Sequence, residues 1–448
     1  MKTRVKCIAM SFAISSITAF ANTEEKLQEM LLLQQAQLAE IEKQLQALKA
    51  EKQAEKKSTS VLSTSKNWQI KSYGNLLYKS EQVFRNTQDI EPKRRAKTDL
   101  ERVVLEYVYN FDQHWQVEAE FEYEHGGTGA ALEYDGFEEF GEFETEIEAG
   151  GEVLVEKLQI KYTHNQDTQI KLGHIYVPVG LGTDFHKPTQ YFTTQRYWSE
   201  ARLIPQVWHE TGVNFIHHWK GFKAQALVTT GLNSEYFRTY GWVGSGHQKR
   251  FEQVNADDLA FTIRLDYGDF AQGSGLGFSY YTGDTSGNRN NLNNISGDGN
   301  LSIFGIHGIW RAENWQIRGQ YLYGELDDSQ EITLANKTTP GLQPGNFAQL
   351  GSEAESGIVE AAYNTQSLFG LPQPLYTFVT YQYANPIKAV EQGLATERFD
   401  QQEIAVGLNY LPTNNLVFKA QFAEQMYAQS NLDNTSTFSL SLGYYFSI

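Results

Sequence analysis

"HWQVEAEFEYEH", His114 to His125, carries glutamate at every second position from Glu118 to Glu124, with Trp115, Val117, Ala119, Phe121 and Tyr123 in the places between. Alternate side chains of a β-strand point to opposite faces. The segment therefore has one apolar face and one acidic face. A soluble sheet would bury the apolar face in a core, whereas a membrane barrel would turn it to lipid and leave the glutamates in a watery lumen.

The flanking sequence favours the barrel. Period-2 segments recur near 67–80, 100–111, 114–125, 151–164, 168–177, 209–218, 221–230 and 257–267. They continue near 274–282, 300–312, 314–325, 354–364, 374–384, 401–410, 414–427 and 433–447. Each is close to the roughly ten residues that a tilted membrane strand needs. The connections alternate between short ones, such as "HNQD" (164–167) and "RAEN" (311–314), and long ones, such as 126–150, 178–208 and 326–353. A sandwich has no reason to keep that parity, but a barrel with short periplasmic turns and long external loops does. Leu259, Phe261, Ile263, Leu265 and Tyr267 share one parity, as lipid-facing residues would. Trp68, Trp115, Trp219, Trp310 and Trp315 gather at strand ends, as an interfacial girdle requires.

Composition agrees. The 448 residues hold 37 Lys+Arg against 54 Asp+Glu, a formal charge of -17 that argues against nucleic acid as a partner. Aromatic residues make up 13% and glycines number 37, yet the mean hydropathy is only -0.48. No window has the roughly 18 consecutive apolar residues of a membrane helix. "MKTRVKCIAMSFAISSITAFA" has the basic start, apolar centre and Ala19-Phe20-Ala21 site of a secretory signal, which predicts removal of residues 1–21. The single cysteine, Cys7, lies inside it, so the mature chain is expected to have no disulfide, thiolate metal site or cysteine nucleophile.

Residues 22–56 read differently. Leu27, Leu31, Gln34, Leu38, Ile41, Leu45 and Leu48 keep a 4-3 spacing, the pattern of a short periplasmic coiled coil that would tie copies into a homotrimer and is a candidate for peptidoglycan contact. A polar linker, 57–66, follows. The expected whole is an all-β transmembrane barrel of about sixteen antiparallel strands (67–448) preceded by an α-helical coiled coil, in the bacterial outer membrane.

"LGHIYVPVGLGTDF" followed by "WHETGVNFIHHWKGFKAQALVTTGLNS", within 172–234, resembles the phosphate-selective (O and P) porin family. The likeness rests on Gly173, Pro178 and Gly180, then Gly212-Val213, then Asn233. It implies a sixteen-stranded trimer that passes small solutes by diffusion, with a loop folded inward. Members that select phosphate carry a basic ladder along the pore. This chain instead has the acidic row, partly offset by Lys157, Lys161 and Lys171 on the inward parity of neighbouring strands.

The candidate pore wall is thus Glu118, Glu120, Glu122, Glu124, Lys157, Lys161 and Lys171. The row is expected either to favour cations or to form a structural lattice with the lysines. Loop 178–208 is the candidate constriction, with Lys187, Arg196 and Arg202 facing carboxylates across the lumen. The carboxylates of loop 126–150 are read as a solvated run, with divalent bridging to lipopolysaccharide as the alternative. "NNISGDGN" (293–300) lacks the closing glutamate of an EF-hand and is read as a turn. HExxH, GxSxG and Walker patterns are absent, so no catalytic residue, metal site or cofactor is expected. The expected function is a passive porin for small hydrophilic, possibly charged, solutes. An anion- or phosphate-selective porin is the alternative, with an outer-membrane hydrolase or an adhesin barrel behind it. The expected partners are the solutes, outer-membrane lipid and lipopolysaccharide, and further copies of the chain.

Overall fold

The computed structural model describes residues 67–84, 89–126, 129–134, 145–150, 153–247, 254–290, 295–338 and 349–448. The expected signal peptide, the coiled-coil seam from Leu27 to Leu48 and the linker 57–66 lie outside the described residues.

Among the described residues, eighteen strands run in chain order. The first six are β1 (Trp68–Val83), β2 (Lys93–Asn110), β3 (Trp115–Glu124), β4 (Gly129–Tyr134), β5 (Thr145–Gly150) and β6 (Val153–Thr163). Next come β7 (Thr168–Tyr176), β8 (His209–Trp219), β9 (Phe222–Thr230), β10 (Leu259–Gly268), β11 (Gly275–Gly283) and β12 (Leu301–Ala312). The last are β13 (Trp315–Leu326), β14 (Glu353–Asn364), β15 (Leu375–Ala389), β16 (Gln401–Thr413), β17 (Leu416–Tyr427) and β18 (Thr435–Ser447). Sixteen of them form one closed antiparallel barrel, while β4 and β5 make a separate hairpin between β3 and β6. Closure is by β1 on β18, from Lys71 opposite Ser447 to Glu81 opposite Thr437. Closing the sheet removes every edge, which a lipid environment demands because nothing there satisfies a free backbone group.

All sixteen expected strands are present. The structure adds the β4–β5 hairpin, a helix at Ser329–Thr338, and an extension of β2 down to Lys93. That extension, "KRRAKTD" (93–99), carries no apolar alternation, so periodicity does not reveal it.

Alternation sorts the wall as the sequence predicts. Leu259, Phe261, Ile263, Leu265 and Tyr267 are exposed on the outside, and Ala260, Thr262, Arg264 and Asp266 are buried within. The five tryptophans of the expected girdle are all exposed and all sit at the short-connection end of their strands.

The lumen is not uniformly polar. Val177, Val179, Leu203, Ile204 and Trp208 from the β7–β8 connection pack with Phe237, Trp242 and Val243 of the β9–β10 connection. Inward residues of β11–β13 (Tyr281, Ile303, Leu322) and Ile332 of the Ser329–Thr338 helix complete this core. One side of the barrel interior is therefore occupied by a packed apolar cluster, which fixes both connections against the wall.

Candidate pore constriction

The acidic row faces inward, and most of it is already paired. Glu120 accepts from the Tyr73 and Tyr176 hydroxyls, each at 2.8 Å, and Lys157 Nζ lies 2.8 Å away. Lys157 also reaches Glu106 at 3.2 Å and Glu118 at 3.7 Å, so one ammonium serves three carboxylates. Lys161 approaches Glu118 at 3.6 Å, and Lys71 pairs with Glu106 at 3.2 Å. Glu122 meets Arg102 at 3.5 Å, and Glu124 meets Arg196 at 3.8 Å. Glu106, Glu120, Glu122, Arg102 and Lys157 are all buried.

Two β-bulges thicken this network. The β1–β2 register shifts between Asn75 and Leu76, and the β3–β6 register shifts between Glu120 and Phe121. Each leaves one extra residue in a strand. The extra residues are Glu101, which accepts from Gln195 of the long connection at 3.3 Å, and the buried Glu156. The change of parity near Glu156 is thus a bulge and not a break in the strand.

Loop 178–208 reaches across the barrel to strands on several sides. Arg264 of β10 binds Asp184 at 2.6 Å and donates to Gly180 O at 3.0 Å. Arg102 of β2 donates to His186 O. Lys419 of β17 donates to Tyr191 O at 2.7 Å and Thr193 O at 2.8 Å. The Tyr197 hydroxyl donates to Glu360 of β14 at 2.8 Å, and Gln320 of β13 accepts from Leu181 N at 2.7 Å. Arg318, beside Glu360 at 3.0 Å, lies against the Phe185 and Phe192 rings.

Two glycines make the loop's first turn possible. Gly180 has φ +71, a conformation that favours glycine. A Cβ on Gly182 would collide with the Glu200 carboxylate. Glu200, in the short helix Trp198–Ala201, accepts from Gly182 N at 3.2 Å and Gln320 Nε2 at 2.5 Å. Burial lifts its carboxyl to about 7, against the downward pull of those donors. The neutral form therefore suits the folded loop, and anchorage weakens as pH rises from the ordinary 4.5 through about 7. Proteolysis of the loop should accelerate between about pH 4.5 and about pH 7, level off above it in the wild type, and stay flat in Glu200→Gln. A pH response equal in the two proteins would exclude Glu200 as its source.

The three basic loop residues do not converge. Lys187 lies over the Tyr445 and Tyr73 rings of β18 and β1, at 4.7 and 5.8 Å. Burial pushes its ammonium below the usual range, with Glu106 and Glu120 pulling upward and Lys71 and Lys157 adding repulsion. Arg196 sits beside Glu124, and Arg202 stacks on Tyr240 at 3.0 Å.

On the short-connection side lies a cavity of about 920 Å³, lined by Asp184, Phe185, Thr189 and Gln190 of the loop together with Lys223 and Arg311 of the wall. Lys171 pairs across the strands with Lys161 and Asn214. Among the described residues, neither Lys171 nor Lys223 lies within ion-pair distance of a carboxylate, and both are half-buried. Parity could have found Arg102, Glu106, Arg264, Arg318, Glu360 and Lys419, all inward on their strands. Their partners in the loop could not be read that way.

The closed sixteen-stranded barrel is the fold of outer-membrane porin channels. Solved structures that share it include the outer membrane channel DcaP of Acinetobacter baumannii and OmpF of Salmonella typhi. The DcaP match has a TM-score of 0.51 at 10% identity and covers 86% of this chain and 99% of that one. For OmpF the TM-score is 0.50 at 13% identity, covering 84% and 97%. An uncharacterized protein of Aquifex aeolicus (strain VF5) is 25% identical over 373 residues, covering 81% of this chain and 78% of its own length. No family model matches the chain. What the solved structures share with it is the wider porin fold, and the narrower likeness to phosphate-selective porins stays a resemblance of 172–234.

Proposed function

We propose that the protein is a passive channel of the outer membrane for small hydrophilic solutes, narrowed by loop 178–208 and favouring anions. The observation that carries the charge preference is the pair Lys171 and Lys223, neither of which has a carboxylate within ion-pair distance among the described residues, on the same side of the barrel as Lys71 and Lys161. The acidic row supports this reading because it is consumed: Glu120 and Glu122 are buried in contact with Lys157 and Arg102. A solute crossing the cavity passes Lys220, Lys223 and Arg311 as well as Asp184, Asp266 and Asp269, so the two lysines Lys171 and Lys223 are asked to tip the balance towards anions. The heptad seam from Leu27 to Leu48 supports a homotrimer, to be checked by native mass of the whole chain.

The test is the reversal potential of single channels in a planar bilayer under a salt gradient. Anion preference is expected in the wild type, with inversion in Lys171→Glu/Lys223→Glu. Cation preference in the wild type, abolished by Glu118→Gln/Glu124→Gln, would overturn the charge assignment. Correctly folded protein that passes no current would overturn the channel.

A further inference from the structure

The cavity on the short-connection side holds a fixed cation that the wall's charge lattice does not use. Arg311 faces inward at the end of β12, opposite Gln316 of β13. Its Nη1 donates to Phe270 O at 3.1 Å and Gly273 O at 2.6 Å, and its Nε donates to Gln316 Oε1 at 3.2 Å. All three acceptors are neutral. The guanidinium is therefore held in place, and no carboxylate among the described residues lies within ion-pair distance of it. The carboxylates that share the cavity are engaged elsewhere. Asp184 and Asp266 hold Arg264, at 2.6 and 2.9 Å, and Asp269 accepts from the Ala271 and Gln272 amides of its own turn. Asp167 lies in the β6–β7 turn, five strands round the barrel from β12.

The lining near this cation is aromatic. Phe185 packs with Phe270, and Phe192 lies 5.3 Å from Tyr376, ring centre to ring centre. All four rings line the cavity together with Arg311 and Gln316. Arg318, two residues beyond Gln316 on the same face of β13, lies behind Phe185 and Phe192 at 5.2 and 5.5 Å from their centres. It is buried, and beyond its contact with Glu360 neither Nη1 nor Nη2 makes a hydrogen bond. A second guanidinium thus adds positive potential behind the same aromatic wall.

We propose that this cavity binds an aromatic carboxylate, with its carboxylate on Arg311 and Gln316 and its ring among Phe185, Phe192, Phe270 and Tyr376. The guanidinium selects the anion, because its planar fork matches a carboxylate. The rings select the arene. Aromatic pairs favour tilted or offset contacts with centres about 4.5–7 Å apart, and Phe192 and Tyr376 already keep such a distance. A bare phosphate would use the cation and leave the rings idle. The volume of about 920 Å³ suits a small-molecule site. This assignment rests on the channel reading and names the class of solute that pauses beneath loop 178–208.

The test uses the full chain, folded in detergent and accepted only when it keeps the heat-resistant gel mobility of an intact barrel. The probe is 4-fluorobenzoate, whose fluorine NMR line broadens on binding. Saturable broadening is expected, reversed by benzoate. Benzamide, which keeps the ring without the charge, and inorganic phosphate, which keeps the charge without the ring, should each need about tenfold higher concentration to reverse it. Cyclohexanecarboxylate should need about threefold more than benzoate, the effect of losing one aromatic contact. Arg311→Gln should weaken the probe about tenfold, and Tyr376→Leu, which leaves the Arg311 anchor untouched, about threefold. Equal competition by cyclohexanecarboxylate and benzoate overturns the aromatic assignment. Broadening that is unchanged in both variants overturns the placement. Binding is read in detergent and conduction in a bilayer, so the two readings fail separately. Folded protein that conducts but never broadens the line overturns the site alone, and protein that binds the probe but passes no current overturns the channel alone.

Discussion

Lys157→Met should destabilise the barrel by about 3–5 kcal/mol, the cost of stripping a buried charge group of its partner. The reason lies in the sharing. A single Nζ lies 2.8 Å from Glu120, 3.2 Å from Glu106 and 3.7 Å from Glu118. Methionine fills the same volume but leaves carboxylates facing one another in a buried wall. Lys71 and Lys161 lie at its edge, more exposed than Lys157, and compensate only Glu106 and Glu118. The denaturant midpoint of the detergent-folded protein measures the loss. Adding Glu120→Gln should recover part of it, because it removes the carboxylate nearest Lys157. A single mutant as stable as the wild type would show that the lattice is ornamental, and that the acidic row is free to face solute.

The second large effect is on the loop alone. Lys419 is buried beneath Tyr191, with its ammonium 3.8 Å from the ring centre, and it donates to two loop carbonyls. Leaving a buried acceptor without its donor costs about 1–3 kcal/mol, so Lys419→Met, which strips two loop carbonyls, takes about 2–6 kcal/mol from the anchorage of the loop. Residues 189–193 should leave β17, while Asp184 stays on Arg264 and Tyr197 stays on Glu360. Single-channel records should show a larger, noisier conductance, with the barrel's unfolding midpoint nearly unchanged. If conductance is unaltered, the loop does not set the narrowest point.

The strands were legible because lipid imposes alternation on every one of them. The opening stretch shows the principle: Trp115 and Tyr123 are exposed outside while Glu120 and Glu122 are buried within. What the row does was not legible. Its partners Glu106 and Arg102 come from a neighbouring strand, and Glu101 and Glu156 enter through bulges that break the very periodicity used to find strands. The apolar core inside the lumen was hidden for a different reason. Trp208, Phe237 and Trp242 lie in connections, where no repeat separates a buried aromatic from an exposed one. Likewise, the contact of Lys419 with Tyr191 spans 228 positions and belongs to topology rather than to any local pattern. The expected constriction residues illustrate the limit: Lys187, Arg196 and Arg202 share a loop but end beside β1 and β18, β3, and Tyr240 respectively.

The division of the wall into committed and uncommitted charges bears on how such a channel diversifies. Glu120, Glu122, Arg102 and Lys157 are locked together, so a change at one demands a matching change at another before the chain is viable. Lys171 and Lys223 carry no such debt. Single nucleotide changes there can alter what crosses the envelope while the scaffold stays intact, which lets a lineage follow its nutrients through two codons and keep the rest under purifying constraint.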